Sequence, residues 1–160
     1  MSDHGALSLV LDAAEKIRDA AVGDLEGARR AHESACQQAH SLVDWRSEYQ
    51  QRWQNQFKTA GGMEIMRCYQ DFMLRLAEAV SAQDGRVEQA RMYMEHCKAQ
   101  LIERERKVAA VTQLMERRRA ELLLKQNRLD QKATDEIAAR TTRSPGGDGM
   151  GSSPLTSGFH

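Results

Sequence analysis

Proline is nearly missing from this sequence: Pro145 and Pro154 are its two prolines, and both lie near the end. Nothing in residues 1–144 therefore removes a backbone N–H or blocks a helical turn, and very long helices are permitted. Aromatic residues make up only 5% of the chain and charged residues 29%. That balance suits long solvated helices better than a packed globule. Cysteine is scarce and odd in number, with Cys36, Cys68 and Cys97 in no Cys-x-x-Cys pair, which argues against a disulfide framework or a zinc ribbon. No apolar run approaches the ~20 residues of a membrane span. Met1-Ser2-Asp3-His4-Gly5 lacks the charged and apolar regions of a secretory signal. These absences predict a protein of the reducing cytoplasm without direct membrane insertion.

What is present is period seven. Met66, Met73, Val80, Val87, Met94, Leu101, Val108, Met115, Leu122 and Leu129 recur at that interval. Three residues on from each stand Tyr69, Leu76, Gln83, Ala90, Cys97, Arg104, Val111, Arg118, Lys125 and Lys132. Such spacing keeps one stripe of a long helix against a partner helix. The segment from 66 to 129 would be about 95 Å long at the helical rise, which no compact core spans. The first part of the chain carries its own heptad: Leu7, Ala14, Ala21, Ala28, Ala35, Leu42 and Tyr49. Its companion row is read three residues on, as Val10, Ile17, Asp24, Ala31, Gln38, Trp45 and Arg52. In that reading Asp24 and Gln38 are polar register setters in the seam. The four alanines bury little area, so the middle of the seam is expected to be weaker than a leucine seam would be.

The two patterns meet at Lys58-Thr59-Ala60-Gly61-Gly62. Adjacent glycines tolerate positive φ and end helices, so a reversal belongs here. The expected fold is all-α: a long antiparallel two-helix coiled-coil hairpin over 1–142. Helix 1 runs over about 3–57, the turn over about 58–63 and helix 2 over about 64–141. Residue i then lies opposite about 121 − i, the register of a hairpin reversing near 60. Tyr49 faces Phe72, Trp45 faces Leu76, Leu42 faces Ala79 and Gln38 faces Gln83. A continuous helix dimerising in parallel is the alternative that Gly61-Gly62 disfavours. In the hairpin register, helix 2 outruns helix 1. The overhang still carries Leu122, Leu129 and Ile137, an apolar stripe without an internal partner, which points to an external one. From Arg143 on, the Gly/Ser/Pro-rich composition predicts a disordered tail over 143–160.

Charge is zero overall, with 23 basic and 23 acidic side chains, but unevenly placed. Acids dominate residues 1–26 and bases residues 98–119, so the two segments attract if they lie side by side. The basic segment lacks the aromatic interleaving of a nucleic-acid surface, so no nucleic-acid partner is assigned.

Candidates for chemistry are poor. His32, Cys36 and His40 are spaced four apart, but the outer two would stand about 12 Å apart along a straight helix, too far to share one ion. They are read as surface residues away from the seam. Gly61-Gly62 is followed by no Lys-Ser/Thr and is no phosphate loop. A two-helix rod has no enclosed cleft to shift the pKa of a carboxylate. Neither an active site nor a cofactor or metal site is assigned, and the chain is read as no enzyme.

Specific residues resemble one family. Asp3-His4-Gly5-Ala6-Leu7, Ala14-Glu15-Lys16, Ala20-Ala21, Leu42-Val43-Asp44-Trp45 with Glu48-Tyr49, and Tyr69-Gln70 with Phe72 resemble the flagellar FliJ proteins. The strongest likeness is Asn127-Arg128-Leu129-Asp130-Gln131-Lys132, followed by Asp135-Glu136 and Arg140. The resemblance covers residues 3–141, and its opening and the 127–132 string are not periodic. It implies a component of flagellar type III protein export: a coiled-coil hairpin similar to the central stalk of rotary ATP synthases. Implied partners are the hexameric flagellar export ATPase, whose assembly and activity it promotes, the cytoplasmic domain of the membrane export gate, and export chaperones. The implied location is cytoplasmic, peripherally associated with the inner membrane through the export apparatus, in a pathway serving motility and chemotaxis.

By position, the gate- and chaperone-binding patch carries over to Gln38, Leu42, Trp45, Tyr49, Phe72, Leu76 and Ala79. The ATPase-facing end carries over to Leu122, Asn127, Arg128, Leu129, Asp130, Gln131 and Lys132. Trp45 stands where family members carry Tyr, and Gln83 where some carry His. Leu42, Leu76 and Ala79 are read as core rather than contact, whereas Trp45, Tyr49 and Phe72 are large enough to pack and still show an edge, the better anchors. A generic coiled-coil scaffold and an export chaperone for one filament subunit are the competing readings.

Overall fold

The structure, a computed structural model, describes residues 2–59 and 61–143. Two helices account for nearly all of them: α1, Ser2–Thr59, and α2, Met63–Arg143. At the α1 C-terminus the Thr59 hydroxyl donates to the carbonyls of Asn55 and Gln56 at 3.3 and 3.1 Å. Gln56 is among the last four residues of α1, whose carbonyls have no onward N–H in the helix. Gly61 and Gly62 precede α2, whose first turn is closed by the Met66 N–H donating to the Gly62 carbonyl at 3.2 Å. Neither glycine adopts positive φ. The positive φ that the sequence suggests for these glycines is therefore not used at either of them. Ala60 and residues 144–160 lie outside the described residues, and with them almost all of the tail expected to be disordered; Arg143 itself closes α2.

The chain divides into two units, residues 1–115 and residues 116–160. In the first, α1 packs antiparallel along α2. Tyr49 meets Phe72, and Gln38 meets Gln83, at the register expected from the sequence. Leu25, Ala28 and Cys97 form the buried core, with Met94 and Leu101 packed against it. Ala28, at 3% exposure, is the most buried of these core residues.

On α2 the two rows read from the sequence are the rows that pack. Met73, Val80, Val87, Met94, Leu101, Val108 and Met115 are half-buried, while Leu76, Gln83 and Cys97 are buried. On α1 only one row agrees. The companion row lies four residues on, not three: Leu11, Arg18, Leu25, His32, Ala39, Arg46 and Trp53 are buried or half-buried. Val10, Ile17, Asp24, Ala31, Gln38, Trp45 and Arg52 face outward. The physical reason is charge. The expected row would press the Asp24 carboxylate into the seam beside the buried Cys97, an uncompensated desolvation. The observed row buries Leu25 there instead. Arg18 and Arg46 are tolerated in it because their aliphatic stems cover apolar surface while their heads reach water.

In the second unit, described over residues 116–143, helix α2 continues and every side chain from Glu121 onward is exposed. Thr134, Thr141 and Thr142 donate back to carbonyls of the preceding turn, the first to Asp130 at 2.8 Å. Arg140 and Arg143 sit in the last turn, where cations complement the helix dipole.

Candidate partner-binding faces

Each unit carries one of the two residue groups singled out by sequence. In the first unit the group surrounds the turn-proximal half of the hairpin. Tyr49 and Phe72 meet edge-on across the two helices, with centroids 4.9 Å apart and planes at 63°. Both remain 37% exposed, so the pair both clamps the hairpin and shows a rim. The Arg52 guanidinium sits over the Tyr49 ring at 5.8 Å, within cation–π range. Trp45 is 53% exposed and does not insert opposite Leu76. It forms a wall shared by two open depressions. One is lined by Trp45, Glu48, Tyr49 and Arg52. The other is lined by Ser34, Gln37, Gln38, Ser41, Leu42, Trp45 and Gln83.

Of the seven residues expected in this patch, Trp45, Tyr49 and Phe72 present aromatic surface, and Gln38 and Ala79 are exposed. Leu42 is half-buried, and Leu76, at 9% exposure, belongs to the core. Gln83, although polar, is 5% exposed and donates through Nε2 to the Ala35 carbonyl at 3.0 Å and to Gln38 Oε1 at 3.3 Å. Burial of an amide is sustained because its donors are used.

Two aromatics beside this patch, Trp53 and Phe57, were not anticipated. They cluster with Tyr69, already read in the α2 seam, at centroid separations of 5.4–5.7 Å. The signal was available: Trp53 and Phe57 are four apart, neighbours on one helix face. The companion row placed three residues on puts Arg52, not Trp53, in the seam.

In the second unit Leu122, Asn127, Arg128, Leu129, Asp130, Gln131 and Lys132 are all exposed. Leu122 and Leu129, at 60% and 65% exposure, share a helix face with Ile137 at 64%. Leu123 and Leu124 add further exposed apolar area. Residue types that seek burial are thus displayed along one stretch of helix, among charged neighbours.

The sequence's ligand-like rows do not assemble into a metal site. His32 and Cys36 are half-buried rather than away from the seam, with Cys36 Sγ 3.6 Å from His32 Nε2. His40 instead pairs with Asp44 at 3.4 Å. Among the described residues no group of three His, Cys, Asp or Glu side chains converges. None of the described helices is long and apolar enough to cross a membrane.

Two long helices packed antiparallel, with aromatic and apolar side chains left on their outer faces, define a coiled-coil hairpin protein. The sequence model described as flagellar FliJ protein matches residues 3–147. The flagellar FliJ proteins of Escherichia coli (strain K12) and Salmonella typhi are each 30% identical to this chain over 140 residues. Each alignment covers 88% of this chain and 95% of the relative. The chain belongs to the flagellar FliJ family, and is a component of flagellar protein export.

Proposed function

We propose that this chain is a non-enzymatic, stalk-like coiled coil of the export apparatus. It binds the hexameric export ATPase through the exposed apolar stretch of its second unit, promoting ring assembly and hydrolysis. It binds the cytoplasmic domain of the export gate, and export chaperones, through the aromatic patch of its first unit. The observation that carries the reading is the display of Leu122, Leu129 and Ile137 at about two-thirds exposure on one helix face. Exposed apolar area of this kind on a charged helix marks a protein-binding surface. Asn127, Arg128, Asp130, Gln131 and Lys132 surround that stripe and supply the polar rim of such an interface. Through these partners the chain sits in the cytoplasm at the inner membrane and serves motility and chemotaxis.

The test is the hydrolysis rate of the same organism's purified export ATPase, titrated with the full chain, with a Leu122→Asp/Leu129→Asp variant, and with a version lacking residues 121–142. Stimulation by the full chain that both variants lose supports the stalk. An active ATPase that neither binds nor responds to the full chain overturns it in favour of a scaffold or an export chaperone.

A further inference from the structure

A chain of hydrogen bonds with a fixed polarity runs from the hairpin core to its surface. It starts at the Ala35 carbonyl of α1, which can only accept. The Gln83 group 3.0 Å from it must therefore be the NH2 end of that amide. Gln83 is 5% exposed, so its side chain has no freedom to present the other end to water. The same NH2 lies 3.3 Å from the Gln38 amide oxygen. Gln38 must accept with that oxygen, and its own NH2 is then left as the outward group. A main-chain carbonyl thus dictates, through a buried amide, which face an exposed amide shows to a partner.

The surroundings restrict what the outward NH2 can meet. Ser34, Gln37, Ser41 and Leu42 line the groove around it and Trp45 walls one side, so no charged side chain lines it. A carboxylate arriving there would lose hydration and find no cation, an unfavourable exchange. A neutral carbonyl oxygen finds a donor at the correct place and apolar surface beside it.

The geometry points to Gln38 as a specificity-determining donor that recognises a neutral carbonyl of the partner, with Gln83 as its positioning residue. This inference rests on the proposal that this patch binds the gate. Gln83 touches no partner itself; it acts by holding Gln38 in one orientation. Pre-organisation of this kind raises affinity because the amide is already turned before the partner arrives.

The experiment is calorimetric titration of the full chain into the purified cytoplasmic domain of the same organism's export gate, at low and at high salt. Gln38→Glu keeps an oxygen that accepts from Gln83, so the hairpin bond survives, but it sets an acceptor where the donor stood. The expected result is affinity lower by roughly tenfold, the loss that follows when a donor is replaced by an unpaired acceptor. Melting temperature and helicity stay those of the wild type, and the loss is the same at both salt concentrations. A loss that high salt largely removes would mean a carboxylate partner and overturn the neutral-carbonyl assignment. If Gln38→Glu also lowers the melting temperature, Gln38→Met decides: several-fold weaker binding supports the donor, and unchanged binding overturns it. Gln38→Glu binding as the wild type does, while Trp45→Ala binds weakly, overturns the relay and leaves the gate-binding reading standing. No binding by the wild-type chain overturns both.

Discussion

Tyr49 of α1 and Phe72 of α2 meet edge-to-face across the hairpin, 4.9 Å between centroids and 63° between planes. This arrangement places the positive edge of one ring on the negative face of the other. It fixes the helices against each other at the level of the proposed gate-binding patch. Each residue removed singly also loses its apolar burial, so a double-mutant cycle of Tyr49→Ala and Phe72→Ala is needed to isolate the contact. Chemical denaturation followed by circular dichroism is expected to give a coupling of about 0.5–1 kcal/mol, the lower part of the range for aromatic pairs because both rings are part-exposed. A coupling near zero would make the two residues independent surface aromatics.

Trp45 and Leu76 separate binding from stability. Leu76 is buried in the seam and Trp45 is more than half exposed. Leu76→Ala is expected to lower unfolding free energy by about 2 kcal/mol, through lost burial and an incompletely collapsed void. Trp45→Ala is expected to change unfolding by well under that, since little of its area is withdrawn from water, yet to weaken binding of the gate domain markedly. Titration and denaturation on the same two preparations check this. Equal losses of stability and binding for Trp45→Ala would return it to the core.

The core itself tests the role of small residues. Ala28 is 3% exposed and lies with Leu25 and Cys97 in the buried core. Ala28→Leu adds volume with nowhere to go and should destabilise the hairpin by about 1–3 kcal/mol. The same change at Ala31, which faces outward, should be nearly silent in the same melting experiment.

The contrast between Ala28 and Ala31 also shows how far the sequence reaches. The seven-residue period of each segment, the reversal near Gly61-Gly62 and the antiparallel register follow from spacing alone, because Tyr49 with Phe72 and Gln38 with Gln83 coincide in no other register. The rows of α2 are also legible, since Leu76, Ala90, Cys97 and Val111 outweigh anything on its other faces. The second row of α1 is not. Val10, Ile17, Ala31 and Trp45 three residues on are matched in apolar character by Leu11, Leu25, Ala39 and Trp53 four residues on. Period seven permits both. The choice falls to Asp24, whose carboxylate is excluded from the seam, a desolvation effect that counting apolar residues does not weigh. Trp45 and Gln38 are consequently more exposed than the sequence suggests, and Trp53 is packed rather than exposed. The exposure of Leu122 and Leu129 was legible, because the register leaves those positions without α1 to pack on.

The turn glycines make a prediction against intuition. Paired glycines at a reversal suggest left-handed backbone, but neither Gly61 nor Gly62 adopts positive φ. Among the described residues, a Cβ at Gly62 would meet nothing within 4 Å, and at Gly61 would meet only the Phe57 carbonyl oxygen at 3.5 Å, ordinary contact. Gly62→Ala is therefore expected to be tolerated, and to raise unfolding free energy by up to about 1 kcal/mol by restricting the unfolded chain. Thermal melting of this single variant checks it. A clear loss of stability would show that the reversal needs glycine's conformational range after all.

Tyr93 gives the hairpin a dependence on alkaline pH. A hydrogen bond with Cys97 and the electrostatics of that contact, with smaller effects from slight desolvation and from Asp24, hold the phenol of this largely exposed residue above the usual tyrosine value. The folded state therefore prefers the neutral phenol. Its contribution is fully present below the ordinary value of about 10 and is lost as pH rises through the raised folded value. Glu88 works in the opposite sense at acid pH: its hydrogen bond from Arg91 lowers its pKa, so its small contribution holds above the usual glutamate range and fades below it. Tyr93→Phe keeps the ring that stacks beside His96 and removes only the titrating hydroxyl. Urea denaturation at neutral pH and again above pH ~10 should show the wild type losing more stability between the two conditions than Tyr93→Phe. Equal losses in the two proteins would remove Tyr93 as the source of the alkaline dependence.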